Sequence, residues 1–193
     1  MHKVYVCEGV VLSKRGIGEA NVFITILTSD LGVVRATVRS ARVEHSKLRY
    51  GLEPLTRARF SLVRGKHEWR LTGVEAGSRD FAKGVPARAR QAGKVAKLLL
   101  RLVQGEEVAP ALYTSVTEGL GALARAPGES EAESIESVLV LKILFHLGYL
   151  PHTEELKAFI DADFFSLEMA EEAARSRSRL LRAINESLQA TGL

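Results

Sequence analysis

Arg39, Arg42, Lys47 and Arg49 fall within the eleven residues RSARVEHSKLR. Guanidinium and ammonium groups clustered on one segment suit one task above others, holding a polyanion. They do so by Coulomb attraction and, with nucleic acids, by release of condensed counterions. Arg35 leads into the cluster, Lys14 and Arg15 close an earlier β run, and Arg64 and Lys66 flank a later turn. Lys14, Arg15, Arg35, Arg39, Arg42, Lys47, Arg49, Arg64 and Lys66 are therefore the candidate nucleic-acid-binding set. Tyr5, Tyr50 and Trp69 offer ring faces for base stacking, although a small barrel ordinarily spends such rings on its core, and Trp69 is expected there. A second set, Arg90, Lys94, Lys97 and Arg101, recurs at i, i+4, i+7 and i+11. That spacing places four cations on one helix face, suited to an acidic partner segment or left as a solvated face.

Other chemistries find no support. The GIG at residues 16–18 lacks the later glycine of a dinucleotide fingerprint, and no phosphate-cradling loop occurs. His2, His45, His67, His146 and His152 are scattered. His146, beside Phe145 and Leu147, is expected to be a satisfied core or helix-end histidine. The acidic pairs Asp161/Asp163 and Glu171/Glu172 read as surface caps, and no serine has a nucleophile-elbow context. Cys7 is the single cysteine; it excludes an intrachain disulfide framework and a multi-cysteine zinc site, and its apolar setting predicts an inert thiol. The expectation is a non-enzyme without metal or cofactor.

The 193 residues carry a net charge of +4, unevenly spread. Residues 1–84 hold 15 Lys and Arg against 8 Asp and Glu, whereas residues 85–193 hold 12 against 15. No apolar run is long enough to span a bilayer, and MHKVYVCEGVVL has none of the regions of a signal peptide. A soluble intracellular protein is expected.

These cations need elements to hold them. The first eighty residues alternate with the period of strands: VYVCEGVVL, with an irregularity expected at Glu8-Gly9, then VFITILT, VVRATVR, TRARFSLVR and WRLTGVEA. Five strands with a long excursion between the third and fourth predict an OB-type barrel. FAKGVPAR reads as a connector, after which the period is helical. ARARQAGKVAKLLLRLVQ and ALYTSVTEGLGALARA read as helices, and a third starts near Ser130 with Ser130 and Glu133 as a capping box. HTEELKAFID reads as a short helix and LEMAEEAARSRSRLLRAINESLQ as one long one. The fold class is α+β: an OB-fold domain over residues 1–80 and an all-α helical domain over residues 81–193.

The motifs come in a recognisable order: Gly18-Glu19-Ala20-Asn21, Leu27-Thr28, Asp30-Leu31-Gly32, Arg39-Ser40-Ala41-Arg42, the segment Ser46 to Pro54, and Val63-Arg64-Gly65. This run resembles the N-terminal domain of the bacterial recombination mediator RecO. LGYLP at residues 147–151 extends the likeness more thinly into the helical half. The resemblance implies an OB-fold followed by helices and binding of single- and double-stranded DNA. It also implies strand annealing, and partnership with RecR and single-stranded DNA-binding protein during RecA loading. The RSAR loop would then meet phosphates, and the LEP turn would anchor its return to the barrel. Many members of that family carry a zinc-binding cysteine cluster after the LGY-x-P segment; here HTEELKAFIDADFFSLEMA has no cysteine, and zinc is not expected. Two rival readings are an OB module for RNA and a protein-interaction scaffold.

Overall fold

The computed structural model describes residues 3–39, 49–66, 68–82, 84–103, 105 and 110–190, the side chains of residues 49, 50 and 76 excepted. Five strands, β1 (Val4–Ile17), β2 (Asn21–Thr28), β3 (Val33–Val38), β4 (Arg57–Arg64) and β5 (Trp69–Ala76), close into a barrel ordered β1-β2-β3-β5-β4. Every pairing is antiparallel except β3 with β5, which is parallel. This is the expected OB-like architecture. Glycines with positive φ serve the first two turns, Gly18 (56°) between β1 and β2 and Gly32 (66°) between β2 and β3. The buried Thr28 hydroxyl braces the second turn, donating to the Gly32 carbonyl at 2.8 Å and accepting from the Leu31 N–H at 2.9 Å.

Ile24, Ile26, Val34, Ala36, Phe60 and Leu62 are fully buried in the barrel core, and Trp69 joins them at 5% exposure, as expected of it. On β1 the inward set is Tyr5, Cys7 and Val11, whereas Val4 and Val6 stand outward, 53% and 57% exposed. The irregularity of β1 lies between Val11 and Ser13, not at Glu8-Gly9. Gly9 answers a different need: a Cβ there would sit 2.6 Å from Ile26 Cγ2 and 3.0 Å from the Leu27 carbonyl oxygen. Only a residue without a side chain permits that approach.

The helices are α1 (Pro86–Leu102), α2 (Pro110–Arg125), α3 (Glu129–His146), α4 (Lys157–Ile160), α5 (Leu167–Arg175) and α6 (Arg177–Ala190). Two compact units result, Met1–Lys83 with Ala96–Pro110, and Gly84–Val95 with Ala111–Leu193, so that α1 contributes residues to both. Pro86 opens α1, where its missing N–H costs nothing. In the second unit α3 is central, packing against α4, α5 and α6 and burying Val138, Leu139, Leu141, Ile143 and Leu144 completely. LGYLP ends it: Gly148 takes φ 77° and the N–H groups of Gly148 and Tyr149 bond the carbonyls of Phe145 and Leu144.

Three helix expectations need correcting. The cap of α3 is Gly128, without a side-chain bond, so Ser130 lies inside the first turn and forms no capping box. Only residues 157–160 of HTEELKAFID are helical. The last helix is two, because the chain turns at buried Ser176, whose N–H still reaches the Glu172 carbonyl at 3.0 Å. A true cap does occur at Ser166, whose hydroxyl accepts from the Met169 N–H at 3.0 Å. Among the described residues, no helix is long and apolar enough to cross a membrane.

Candidate nucleic-acid interface

The barrel's register decides which cations can act together. Arg15 on β1 lies opposite Phe23 on β2, Phe23 opposite Thr37 on β3, and Thr37 beside Arg70 on β5. One lateral row thus runs cation, ring, hydroxyl, cation across four strands, about 14 Å at the usual strand spacing. Arg15 and Arg70 are exposed, Phe23 and Thr37 half-buried, and the Arg15 guanidinium lies 5.9 Å from the Phe23 ring centroid. Strand alternation adds exposed Arg35 and Arg39 on either side of Thr37. One carboxylate joins the wall, since Thr37 Oγ1 donates to Glu68 Oε2 at 2.8 Å. Four arginines against one glutamate, around a partly accessible ring, form a cationic surface with a stacking face, the combination that holds single strands.

The structure brings together Arg15, Arg35 and Arg39 of the expected set and separates others from them. Lys14 lies opposite buried Ile24, away from the wall, and its Nζ donates to Glu53 Oε1 at 2.9 Å. Arg64 pairs with Trp69 across β4 and β5, so its guanidinium covers the indole at 5.2 Å. Lys3 lies over the Tyr5 ring at 4.9 Å, and Tyr5 meets Trp69 edge-on. Lys66 is exposed at the tip of the β4–β5 turn. Arg42 and Lys47 lie outside the described residues, and so do the side chains of Arg49 and Tyr50.

Arg70 and Phe23 were missed by sequence reasoning. The alternation of WRLTG could have found Arg70, because inward Trp69 and Leu71 force it outward. VFITILT is apolar on both parities, so nothing in it marks Phe23 as the outward ring.

The segment leading to β4 is held firmly. Leu52 is fully buried in the barrel core, and a Cβ at Gly51 would meet Val74 at 2.7 Å. The Leu55 N–H bonds the Val11 carbonyl at 2.8 Å while the Val11 N–H bonds the Thr56 carbonyl at 3.0 Å. Leu55 accepts a left-handed φ of 66° to make this return. The LEP turn is thus an anchor at Val11 and Lys14.

On α1, Arg90, Lys94, Lys97 and Arg101 are all exposed on one face, while Ala92, Val95, Ala96, Leu99 and Leu102 are buried. Arg88 of the same helix is buried instead, donating to Gln91 Oε1 at 3.2 Å and to the Gly128 carbonyl. Lys142 on α3 is also buried; its ammonium donates to the Ile160 carbonyl at 3.0 Å and to that of Ala162. Burial holds its pKa down, against the pull of Glu118, Asp163 and Asp161. His146 hydrogen-bonds with Ser115 Oγ at 2.9 Å, the satisfied packing role expected of it, with its pKa lowered first by burial and then by Lys142. Among the described residues, no group of three or more His, Cys, Asp or Glu could hold a metal ion.

Comparison with known proteins places this surface in context. Residues 1–77 match the family model for the N-terminal region of recombination protein O. The DNA repair protein RecO of Heliobacterium modesticaldum is 32% identical over 154 residues, covering 77% of this chain and 53% of that protein. Those of Moorella thermoacetica and Bifidobacterium adolescentis are 30% and 33% identical, covering 80% and 77% of this chain and 57% and 61% of theirs. The chain therefore spans between half and two thirds of the length of these three relatives.

Proposed function

The chain is a relative of the DNA repair protein RecO and carries that family's N-terminal domain over residues 1–77; from this we propose that it is a DNA repair and recombination mediator whose barrel wall holds DNA. The observation that carries the reading is the row Arg15, Phe23, Thr37 and Arg70, flanked by Arg35 and Arg39. Arginines on such a surface neutralise phosphates, and such contacts fix the position of a strand without reading its sequence. Both single- and double-stranded DNA are therefore substrates.

The mediator acts without catalysing a reaction. Its task is to hold strands for annealing and, with RecR and single-stranded DNA-binding protein, to help load RecA. The helical unit supplies docking surface for those protein partners. Its place of action is the cytoplasm, at the nucleoid.

The test is a salt titration of binding to a fluorescent single-stranded oligonucleotide, comparing the parent with an Arg15→Gln/Arg35→Gln/Arg70→Gln variant. Loss of three phosphate contacts lowers the slope of log affinity against log salt by about 2. Equal slopes would remove DNA from this wall. A preference for structured RNA in direct competition would replace the repair reading with that of an RNA-binding module.

A further inference from the structure

α1 carries Arg88, Arg90, Lys94, Lys97 and Arg101 and not one acidic residue in its seventeen positions. Four of these cations are exposed, at positions 90, 94, 97 and 101, and among the described residues none of the four enters an ion pair with a carboxylate. Elsewhere several cations are paired. Arg175 and Arg177 pair with Glu172 and Glu133, Arg59 with Glu8, and Lys157 with Glu154. A solvated face that merely maintains solubility mixes both signs along the helix; the α1 face does not.

The row is also a regular one. At 1.5 Å rise per residue it extends about 16 Å, with successive cations roughly 4.5 to 6 Å apart along the axis. Duplex DNA presents a phosphate about every 3.4 Å of helix axis on each strand, so the row runs past some five phosphates. Apolar recognition is not on offer at this face, because Val95, Leu99 and Leu102 are buried and Leu98 and Leu100 half-buried. An acidic peptide ending in apolar residues would need an open apolar pocket beside the charges, and the row itself presents charge alone.

We infer that the exposed face of α1 is a second nucleic-acid contact, a phosphate track formed by Arg90, Lys94, Lys97 and Arg101 that acts in addition to the barrel wall. This extends the DNA-binding reading above and rests on it for the identity of the polyanion. A chain with two such contacts engages more phosphates than the barrel alone.

The full chain is titrated with salt against a fluorescent thymine oligonucleotide in four forms: parent, wall variant Arg15→Gln/Arg35→Gln/Arg70→Gln, track variant Arg90→Gln/Lys94→Gln/Lys97→Gln/Arg101→Gln, and both combined. Glutamine keeps the helix propensity close to that of the residues it replaces. The track variant is expected to lower the slope of log affinity against log salt by about 3, at roughly 0.7 per phosphate contact, and the two sets of losses to add. A milder Lys94→Gln/Lys97→Gln variant, lowering the slope by about 1.4, serves if the fourfold variant loses its helical circular dichroism. A track variant that titrates like the parent, while the wall variant does not, overturns this inference and leaves the barrel reading intact. A wall variant that titrates like the parent, while the track variant loses its slope, overturns the barrel reading alone. A track variant that loses binding of an oligo-aspartate peptide but keeps its DNA slope overturns the inference in favour of a protein partner, and a parent that binds no oligonucleotide overturns both.

Discussion

Lys14 and Glu53, thirty-nine positions apart, meet at 2.9 Å, and this one contact separates two neighbouring cations by role. Arg15 stands on the outer wall of the barrel, in register with Phe23, while Lys14 ties the LEP turn to β1. Lys14→Ala should leave the salt dependence of DNA binding unchanged and cost at most about 1 kcal/mol of stability, as partly exposed ion pairs do. Arg15→Ala should lower the slope by about 0.7 with little change in stability. A Lys14 variant that loses as much slope as the Arg15 variant would contradict this division.

Cys7 is buried and its thiol is pushed up to about 11, by burial first and then by the carboxylates of Asp30 and Glu8. Alkylation requires the thiolate, of which about one part in ten thousand is present at neutral pH. Iodoacetamide should therefore leave the native protein unmodified and label it stoichiometrically once urea unfolds the barrel. Mass spectrometry showing rapid native labelling would mean that Cys7 is reached without unfolding.

His146 gives the second unit a pH dependence of fixed sign. Its folded pKa lies below the ordinary 6.5, so the unfolded chain binds this proton more tightly. The stability it contributes is complete above 6.5 and drains away as pH falls through the lower folded value. Between about pH 7 and pH 5 the parent's melting temperature should drop further than that of His146→Gln. Parallel curves for the two proteins would assign acid sensitivity to other groups.

Gly9 is a packing requirement of the barrel. Gly9→Ala puts a methyl group 2.6 Å from Ile26 Cγ2 and 3.0 Å from a backbone oxygen that cannot rotate away. Such overpacking costs about 1–3 kcal/mol. Urea unfolding should show the midpoint shifted down with the slope unchanged, and an undisturbed midpoint would show that β1 and β2 can separate at no cost.

The barrel was legible because its alternation and turn glycines agree: Gly18 and Gly32 fall where the strands must reverse. The facing of β1 was harder to read. Val4 and Val6 share a parity with buried Val10 and Leu12, yet stand outward, opposite a face built from Tyr5 and Cys7. When both parities are apolar, only the neighbouring strands decide which one is core. Lys142 was overlooked for a related reason, since the apolar run SVLVLKILF conceals a lysine whose partners are the carbonyls of Ile160 and Ala162, eighteen and twenty residues away. The break at Ser176 has no proline or glycine to announce it. Of the candidate wall, the individual cations were visible in the sequence, but their grouping depends on register, which moved Lys14 off the wall and brought Arg70 onto it.

Among the described residues, the parallel joint between β3 and β5 is laced by two residue pairs, Ala36 with Trp69 and Thr37 with Arg70, whereas β1 and β2 share eight. Arg35 and Arg39 stand on one side of that joint and Arg70 on the other. A strand gripped by all three is a rivet across the barrel's narrowest weld, so cargo and container reinforce one another. Occupancy should slow amide hydrogen exchange at Thr37 and Arg70 more than along β1 and β2, by the linkage through which any ligand of the folded state suppresses opening. The protein would then be sturdiest while it is loaded.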